Sequence, residues 1–229
     1  MVRLYLFAEG QTEQTFADNI LKQHLANYGV FLDKIVLIAH ARKKGKVHRG
    51  GGRQYQPMKD DIQRFLKQEK SDNLFFTTMI DLYAISPEFP GLTEAEKLRQ
   101  NPLERVQFLE NSFAQDIDDS RFIPYIQLHE YEAYLFTDPS LFEYFYEGHR
   151  NKNKIAELKA IADQYENPEL INDGQDTAPS KRIIDQFPAY KKAKVTEGSQ
   201  VAELIGLQSI RNRCSHFNAW LSKLESLSR

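Results

Sequence analysis

The sequence predicts an α/β protein: a mostly parallel sheet flanked by helices, with a mainly helical C-terminal half. Three features of its 229 residues carry that expectation. Short apolar runs, too brief for ordinary helices, alternate with stretches whose apolar residues recur at helical spacing. The second half is helical in pattern almost throughout. Acidic residues also stand at the ends of the apolar runs, where open α/β sheets bind their ligands.

The run VRLYLFA, Val2 to Ala8, reads as a strand buried on both faces. Glu9-Gly10 ends it, and Thr12 is placed to cap the helix that follows. Phe16, Ile20, Leu21, Leu25 and Tyr28 give that helix its inner face, and Gly29 stands where a C-terminal glycine stop belongs. Val30 to His40 reads as a second strand. A helix over Pro57 to Glu69 follows, then strands at Leu74 to Ile80 and Phe122 to Leu128. Beyond these, helical patterns cover Tyr131–Phe136, Leu141–Tyr146, Ile155–Tyr165, Pro179–Phe187 and Val201–Leu227. The expected organisation is one domain over 1–229, with an α/β core at 1–136 and a helical extension at 137–229 packed on it.

Composition narrows the function classes. A hydrophobic fraction of 41% and a charged fraction of 27% are those of a globular chain. The net charge of −2 gives no global pull toward nucleic acid or an anionic membrane, so such attraction has to be local. Cys214 is the single cysteine, which excludes an internal disulfide and a cysteine-rich zinc site. No apolar run is long enough to span a bilayer and no signal-peptide pattern opens the sequence. A cytoplasmic protein is expected.

Four acids share one placement. Glu9 follows the first strand directly, Asp81 ends the third, and Glu130 and Glu132 follow the fourth. With parallel strands they sit on one rim, and hard cations such as Mg²⁺ or Mn²⁺ take two or three carboxylates together with water and substrate phosphate. Each is also explained by a helix cap or a solvated loop. Glu13 is a fifth candidate ligand, but it lies in a first helical turn, where the dipole favours any acid.

A resemblance now enters. The run LYLFAEGQTEQTF, an apolar strand followed by E-G-x-T-E and a helix, is similar to the opening motif of Toprim-type domains, closest to the form in OLD-family nucleases. Together with TMIDLYAISPEFPG, FIPYIQLHEYEAYLF, INDGQDTAPSKRI and IGLQSIRNRCSHFNAWL, it resembles a bacterial family known as domain-of-unknown-function family 4276, over nearly the whole chain. The resemblance implies a Toprim-like fold and metal-dependent phosphodiester chemistry. Glu9 takes the role of metal ligand or general acid/base, and Asp81 that of the first aspartate in a Mg²⁺-binding pair. The second aspartate is absent, since D-x-D reads Asp81-Leu82-Tyr83; Glu130 or Glu132 can replace it, or metal binding is weak or lost. The resemblance also suggests an ABC-type ATPase partner and a role in anti-phage defence, and it leaves homo-oligomerisation open.

Other segments offer phosphate contacts. HARKKGKVHRGGGR, residues 40–53, places Arg42, Lys43, Lys44, Lys46, Arg49 and Arg53 on a glycine-rich loop able to follow a nucleic-acid backbone, or simply to stay solvated. It is not a P-loop, lacking G-K-[ST]. Lys181 and Arg182 lie near the start of a helix where free N–H groups can help hold a phosphate; Pro179 and the Asn-Asp-Gly turn explain the same segment as a helix start. The family resemblance favours Lys181 as a catalytic contact. His129 and His216 read as structural, Cys214 as packing, and the aromatic run Phe142, Tyr144, Phe145, Tyr146 as packing before base stacking. The leading expectation is a Mg²⁺-dependent nuclease acting on DNA or RNA. The alternative is an inactive subunit of the same fold that binds nucleic acid or an ATPase, and a phosphatase or nucleotide-processing enzyme comes third.

Overall fold

A computed structural model describes residues 1–43, 46–49, 54–171 and 177–228, with backbone alone at 39–43, 46–49, 84 and 150. Strand β1 (Val2–Ala8) leads into helix α1 (Gln11–Phe16), a π-helical turn at Ala17–Leu21, and helix α2 (Lys22–Ala26). The N-cap is Gly10 rather than Thr12, because Gly10 stays extended while Thr12 already lies inside the helix. Gly29, at φ 74°, turns the chain after α2 in the left-handed region that a glycine enters without a Cβ clash. Strand β2 (Val30–Leu37) then runs parallel to β1.

The expected second strand, Val30 to His40, is two strands in two sheets. β2 stops at Leu37, and β3 (Ala39–Lys43) pairs antiparallel with β4 (Lys46–Arg49) in a small separate sheet. The described part of the basic segment is therefore a hairpin rather than a loop. Its residues alternate basic and apolar or small (Ala39, Ala41, Val47), a period-two pattern that the density of charge conceals. Helix α3 (Tyr55–Gln68) follows, then β5 (Leu74–Asp81).

Between β5 and the next strand lies a correction to the sequence reading, which assigned no helix there. A short helix α4 (Leu92–Ala95) precedes the 16-residue helix α5 (Pro102–Ile117). Val106, Leu109, Phe113 and Ile117 are all buried, at helical spacing, and Pro102 begins the helix at its first position. The left-handed Asp118 ends it. The fourth expected strand is two fragments, β6 (Phe122–Ile123) and β7 (Ile126–Gln127), since Pro124 between them cannot donate to a ladder.

The main sheet is wholly parallel in the order β2-β1-β5-β6, with β7 also paired to β5. Covering both faces explains why β1 is buried almost end to end. Tyr5 and Phe7 meet Phe65 of α3 edge-on at 6.1 and 5.5 Å. Thr77 follows Phe76 by one residue and so points to the opposite face, where its hydroxyl accepts the Trp220 indole N–H at 2.9 Å. Tyr125 stacks on the same indole at 4.3 Å.

After Leu128 the chain is helical. Two 3₁₀ stretches (Tyr131–Thr137 and Pro139–Tyr144) lead to α6 (His149–Ala162), α7 (Pro179–Gln186), α8 (Tyr190–Ala193), α9 (Ser199–Ile205), α10 (Leu207–Arg213) and α11 (Ser215–Glu225). The single C-terminal helix expected over Val201–Leu227 is three, broken at the left-handed Gly206 and again at Cys214. The chain divides into two compact units: Met1–Gln127 with Trp220–Arg229, and Leu128–Ala219.

In the first unit Arg121 ties a helix end to the sheet. Its guanidinium donates to the carbonyls of Leu66 (3.1 Å) and Glu69 (2.6 Å) at the end of α3, and to both oxygens of Asp119 at 3.0 and 2.8 Å. Those hydrogen bonds hold the Asp119 carboxyl below the usual carboxylate range, against the opposing effect of burial. A depressed folded-state pKa adds stability that is present above the unfolded value, about 3.9, and is lost as pH falls through the folded value. Asp119→Asn is expected to lower stability at neutral pH by about 1–3 kcal/mol. Urea melts should show the gap to wild type closing only under strongly acidic conditions; a gap that is constant with pH would refute this account.

Candidate functional site

The strand order reverses between β1 and β5. β1 crosses over to β2 on one side, and β5 crosses over through α5 to β6 on the other. In open parallel sheets the crevice beyond the carboxyl ends of two such strands is where ligands bind. Glu9 and Asp81 occupy that crevice. Ala8 pairs with Met79 in register, and the Glu9 N–H continues the ladder to the Met79 carbonyl at 2.9 Å. The Glu9 carboxylate then turns back, and its Oε2 accepts the Asp81 backbone N–H at 2.7 Å. One strand end thus orients the acid of the other.

Both acids line a narrow cleft with Ile38, Gln54, Tyr55, Met58, Ile80, Ile85, Ser86 and Phe89, all in the first unit. Its volume of about 20 Å³ has room for roughly one water molecule. The wall is rigid. Tyr55 packs edge-on against Phe89 at 5.1 Å, and its hydroxyl donates to Asp116, which also pairs with Lys59 at 2.8 Å. Burial and that hydrogen bond push the Tyr55 phenol far above its ordinary range, so it remains neutral. Sequence reading missed Tyr55 and Ser86 as lining residues. Nothing in their spacing marks them, because they arrive from a helix start and from the loop after β5.

Of the remaining acids, Glu13 and Glu130 are engaged with backbone and Glu132 with a lysine. The Gly10 N–H donates to Glu13 Oε2 at 2.8 Å, so Glu13 satisfies the first turn of its own helix. In the second unit Glu130 accepts the Ser180 N–H at 2.9 Å on one oxygen and the Ser180 hydroxyl at 3.1 Å on the other. It thereby anchors the start of α7. Glu132 is buried beside Lys194, whose ammonium lies 3.0 Å away. Burial raises the Glu132 carboxyl, Lys194 opposes the shift, and the charge of Glu130 adds to it. Within either unit's described residues, no three His, Cys, Asp or Glu side chains gather closely enough to hold a metal ion.

A family model described as a domain of unknown function, DUF4276, matches residues 8–225. The chain belongs to this family. The matched span opens on the last residue of β1 and takes in every candidate acid. No curated protein and no solved structure matches the chain.

Other candidates of the DUF4276 chain fall as follows. Lys44 and Arg53 lie outside the described residues, and so do the side chains of Arg42, Lys43, Lys46 and Arg49, whose backbones form β3 and β4. Lys181 is exposed in the first turn of α7, while Asn172, Asp173 and Gly174 lie outside the described residues. His129 is buried with φ 64°, a left-handed backbone that costs energy for a non-glycine residue. Cys214 is buried, and burial pushes its thiol well up, away from nucleophilic range. Phe142 is buried and Tyr146 stacks on Phe187 at 4.1 Å, so both pack as expected. No described helix is long and apolar enough to cross a membrane. Glu169, absent from the candidates, is a fully buried acid with both oxygens bonded to backbone, and only its apolar setting between Pro168 and Leu170 hinted at burial.

Glu130 supplies a test. Glu130→Ala strands a buried N–H and hydroxyl of Ser180 and is expected to cost about 1–3 kcal/mol. Glu130→Gln keeps an acceptor and should lose less. Thermal melts in EDTA should rank wild type, Gln and Ala in that order; equal melting of all three would show that α7 does not depend on this carboxylate.

Proposed function

We infer that this DUF4276 protein is a divalent-metal-dependent nuclease whose reaction is centred on Glu9 and Asp81. The observation that carries the reading is the meeting of these two acids at the topological switch point of a parallel sheet, one oriented by the backbone of the other. Two carboxylates are what Mg²⁺ or Mn²⁺ commonly takes from a protein when water and substrate phosphate supply the rest. The cleft fits that donor set: hard oxygens from Glu9, Asp81 and Ser86 beside a space of water size. The Toprim-like character of the E-G-x-T-E motif supports the same reading.

Bound there, the cation would neutralise charge developing on the phosphate and lower the pKa of a water. The residues of the chain do the rest. The Asp81 N–H holds the Glu9 carboxylate in one orientation, which suits it to receive a proton from a water in the cleft. The aromatic wall of Tyr55 and Phe89 keeps the pair partly shielded, so their charge acts at reduced dielectric. The basic β3–β4 segment would follow the phosphate backbone, and Lys181, exposed in the second unit, is by itself a candidate phosphate contact. A role in anti-phage defence, beside an ABC-type ATPase, rests on the family resemblance. Tyr83 favours a second reading, a binding subunit without catalysis: it stands two residues after Asp81, where a second aspartate would complete D-x-D.

One pair of variants separates them. Glu9→Gln and Asp81→Asn preserve shape and remove charge. Incubated with plasmid, single-stranded DNA and tRNA in Mg²⁺ or Mn²⁺, wild type is expected to cut at least one, with each variant slower by about 10²-fold or more, the loss typical of a key charged contact. Millimolar Mn²⁺ should also raise the melting temperature of wild type more than that of either variant. No cleavage together with no thermal response to either cation would leave the binding reading in place.

A further inference from the structure

The second unit contains a groove that the carboxylate pair does not explain. It runs between the 3₁₀ stretch Pro139–Tyr144 and helix α6, with a volume of about 550 Å³, within the range of roughly 300–1,000 Å³ usual for small-ligand sites. Of the aromatic run in this segment, Phe142 is buried and Tyr146 is locked by stacking on Phe187 and by its hydroxyl bond to Glu197. Tyr144 alone turns outward. It is 63% exposed, the most exposed aromatic side chain of the described residues.

What surrounds Tyr144 has a definite chemistry. Ile155 and Ala156 form an apolar floor, and the locked ring of Tyr146 forms a wall. Lys152 and Lys159 stand two helical turns apart on α6, about 10 Å along its axis and on one face. Glu143 and Glu147 line the other side. Both signs of charge thus share one groove, yet among the described residues none of these four forms an ion pair. They present separate donors and acceptors to whatever enters.

We propose that this groove binds a nucleotide, its base stacked on Tyr144 and its phosphate held by Lys152 and Lys159. A purely anionic ligand would not suit a site carrying two carboxylates, and a purely apolar one would leave two lysines without a use. A nucleotide needs both: carboxylates accept hydrogen bonds from sugar hydroxyls or exocyclic amines, and ammonium groups pair with phosphate. Stacking on an exposed ring works with any base, because every base has a π-face. The ligand is either a free nucleotide or the end of a single strand. Binding requires neither a metal nor Glu9 and Asp81, so it stands or falls apart from the nuclease reading.

The test is calorimetric titration of the full chain in EDTA with AMP, GMP, CMP and UMP, and with a 5′-phosphorylated single-stranded hexanucleotide. Wild type is expected to bind at least one. Tyr144→Ala should weaken that binding roughly ten-fold or more, while Tyr144→Phe keeps the ring and the affinity. Lys152→Ala with Lys159→Ala should weaken it and flatten its dependence on salt. A mononucleotide binding as tightly as the hexamer identifies a free-nucleotide site; binding of the hexamer alone identifies a strand end. Tyr144 is exposed, so its variants should melt with wild type. The proposal is overturned if no probe binds at millimolar concentration, if Tyr144→Ala binds like wild type, or if Tyr144→Phe is as damaging as Tyr144→Ala.

Discussion

Glu169 is fully buried, and its two oxygens accept backbone N–H groups at the start of the last helix, from His216 at 2.9 Å and Phe217 at 3.0 Å. The same bond recurs through both units. Glu130 takes the Ser180 N–H at the start of α7, Glu110 takes the Ile126 N–H at 2.9 Å where β7 begins, and Glu13 takes that of Gly10. Each answers one constraint: a chain with many short elements leaves many unpaired N–H groups, and burying one without a partner costs about 1–3 kcal/mol. A carboxylate meets that demand well, because the bond is charge-assisted and a helix start favours negative charge. The cost falls on the carboxyl itself; burial pushes Glu169 upward despite its donors.

This use of glutamate makes an acid's position more informative than its presence. Glu13, Glu130 and Glu169 serve helix starts, where an acid is expected on structural grounds alone. Glu9 accepts an N–H too, but from the last residue of a neighbouring parallel strand, at the place where the sheet's connections diverge. The ladder between β1 and β5 ends at Met79, and the Glu9 carboxylate supplies the acceptor for the next N–H on that edge, that of Asp81. In doing so it also holds two acids at the mouth of a cleft. That asymmetry, rather than the count of acids, sets Glu9 and Asp81 apart.

The parts of the fold that could be read from the sequence were those where one physical signal was unopposed. β1 and β5 are apolar on both faces and bounded by polar residues, and their limits were recognised to within a residue. Gly29 marked its turn because no other residue enters that conformation as cheaply. Helix α5 was missed because its buried positions, Val106, Leu109, Phe113 and Ile117, are diluted by Phe108 and Leu103, which are more than a third exposed and blur the stripe. The β3–β4 hairpin was hidden by its charge. Of the candidate site, the two strand-end acids were legible because strand termini are legible. Tyr55, Ser86 and Phe89 were not, since their place in the cleft depends on how a helix and a loop return to the rim.

On the nuclease reading, Tyr83 has a physical consequence. A cation held by two carboxylates keeps more of its coordination for water and phosphate than one held by three or four. Its affinity for the protein alone is then modest, and substrate oxygens supply much of the remainder. Metal and nucleic acid in that case bind with positive coupling, each raising the other's affinity by the same factor. A second aspartate at position 83 would weaken that linkage by holding the metal in the absence of substrate.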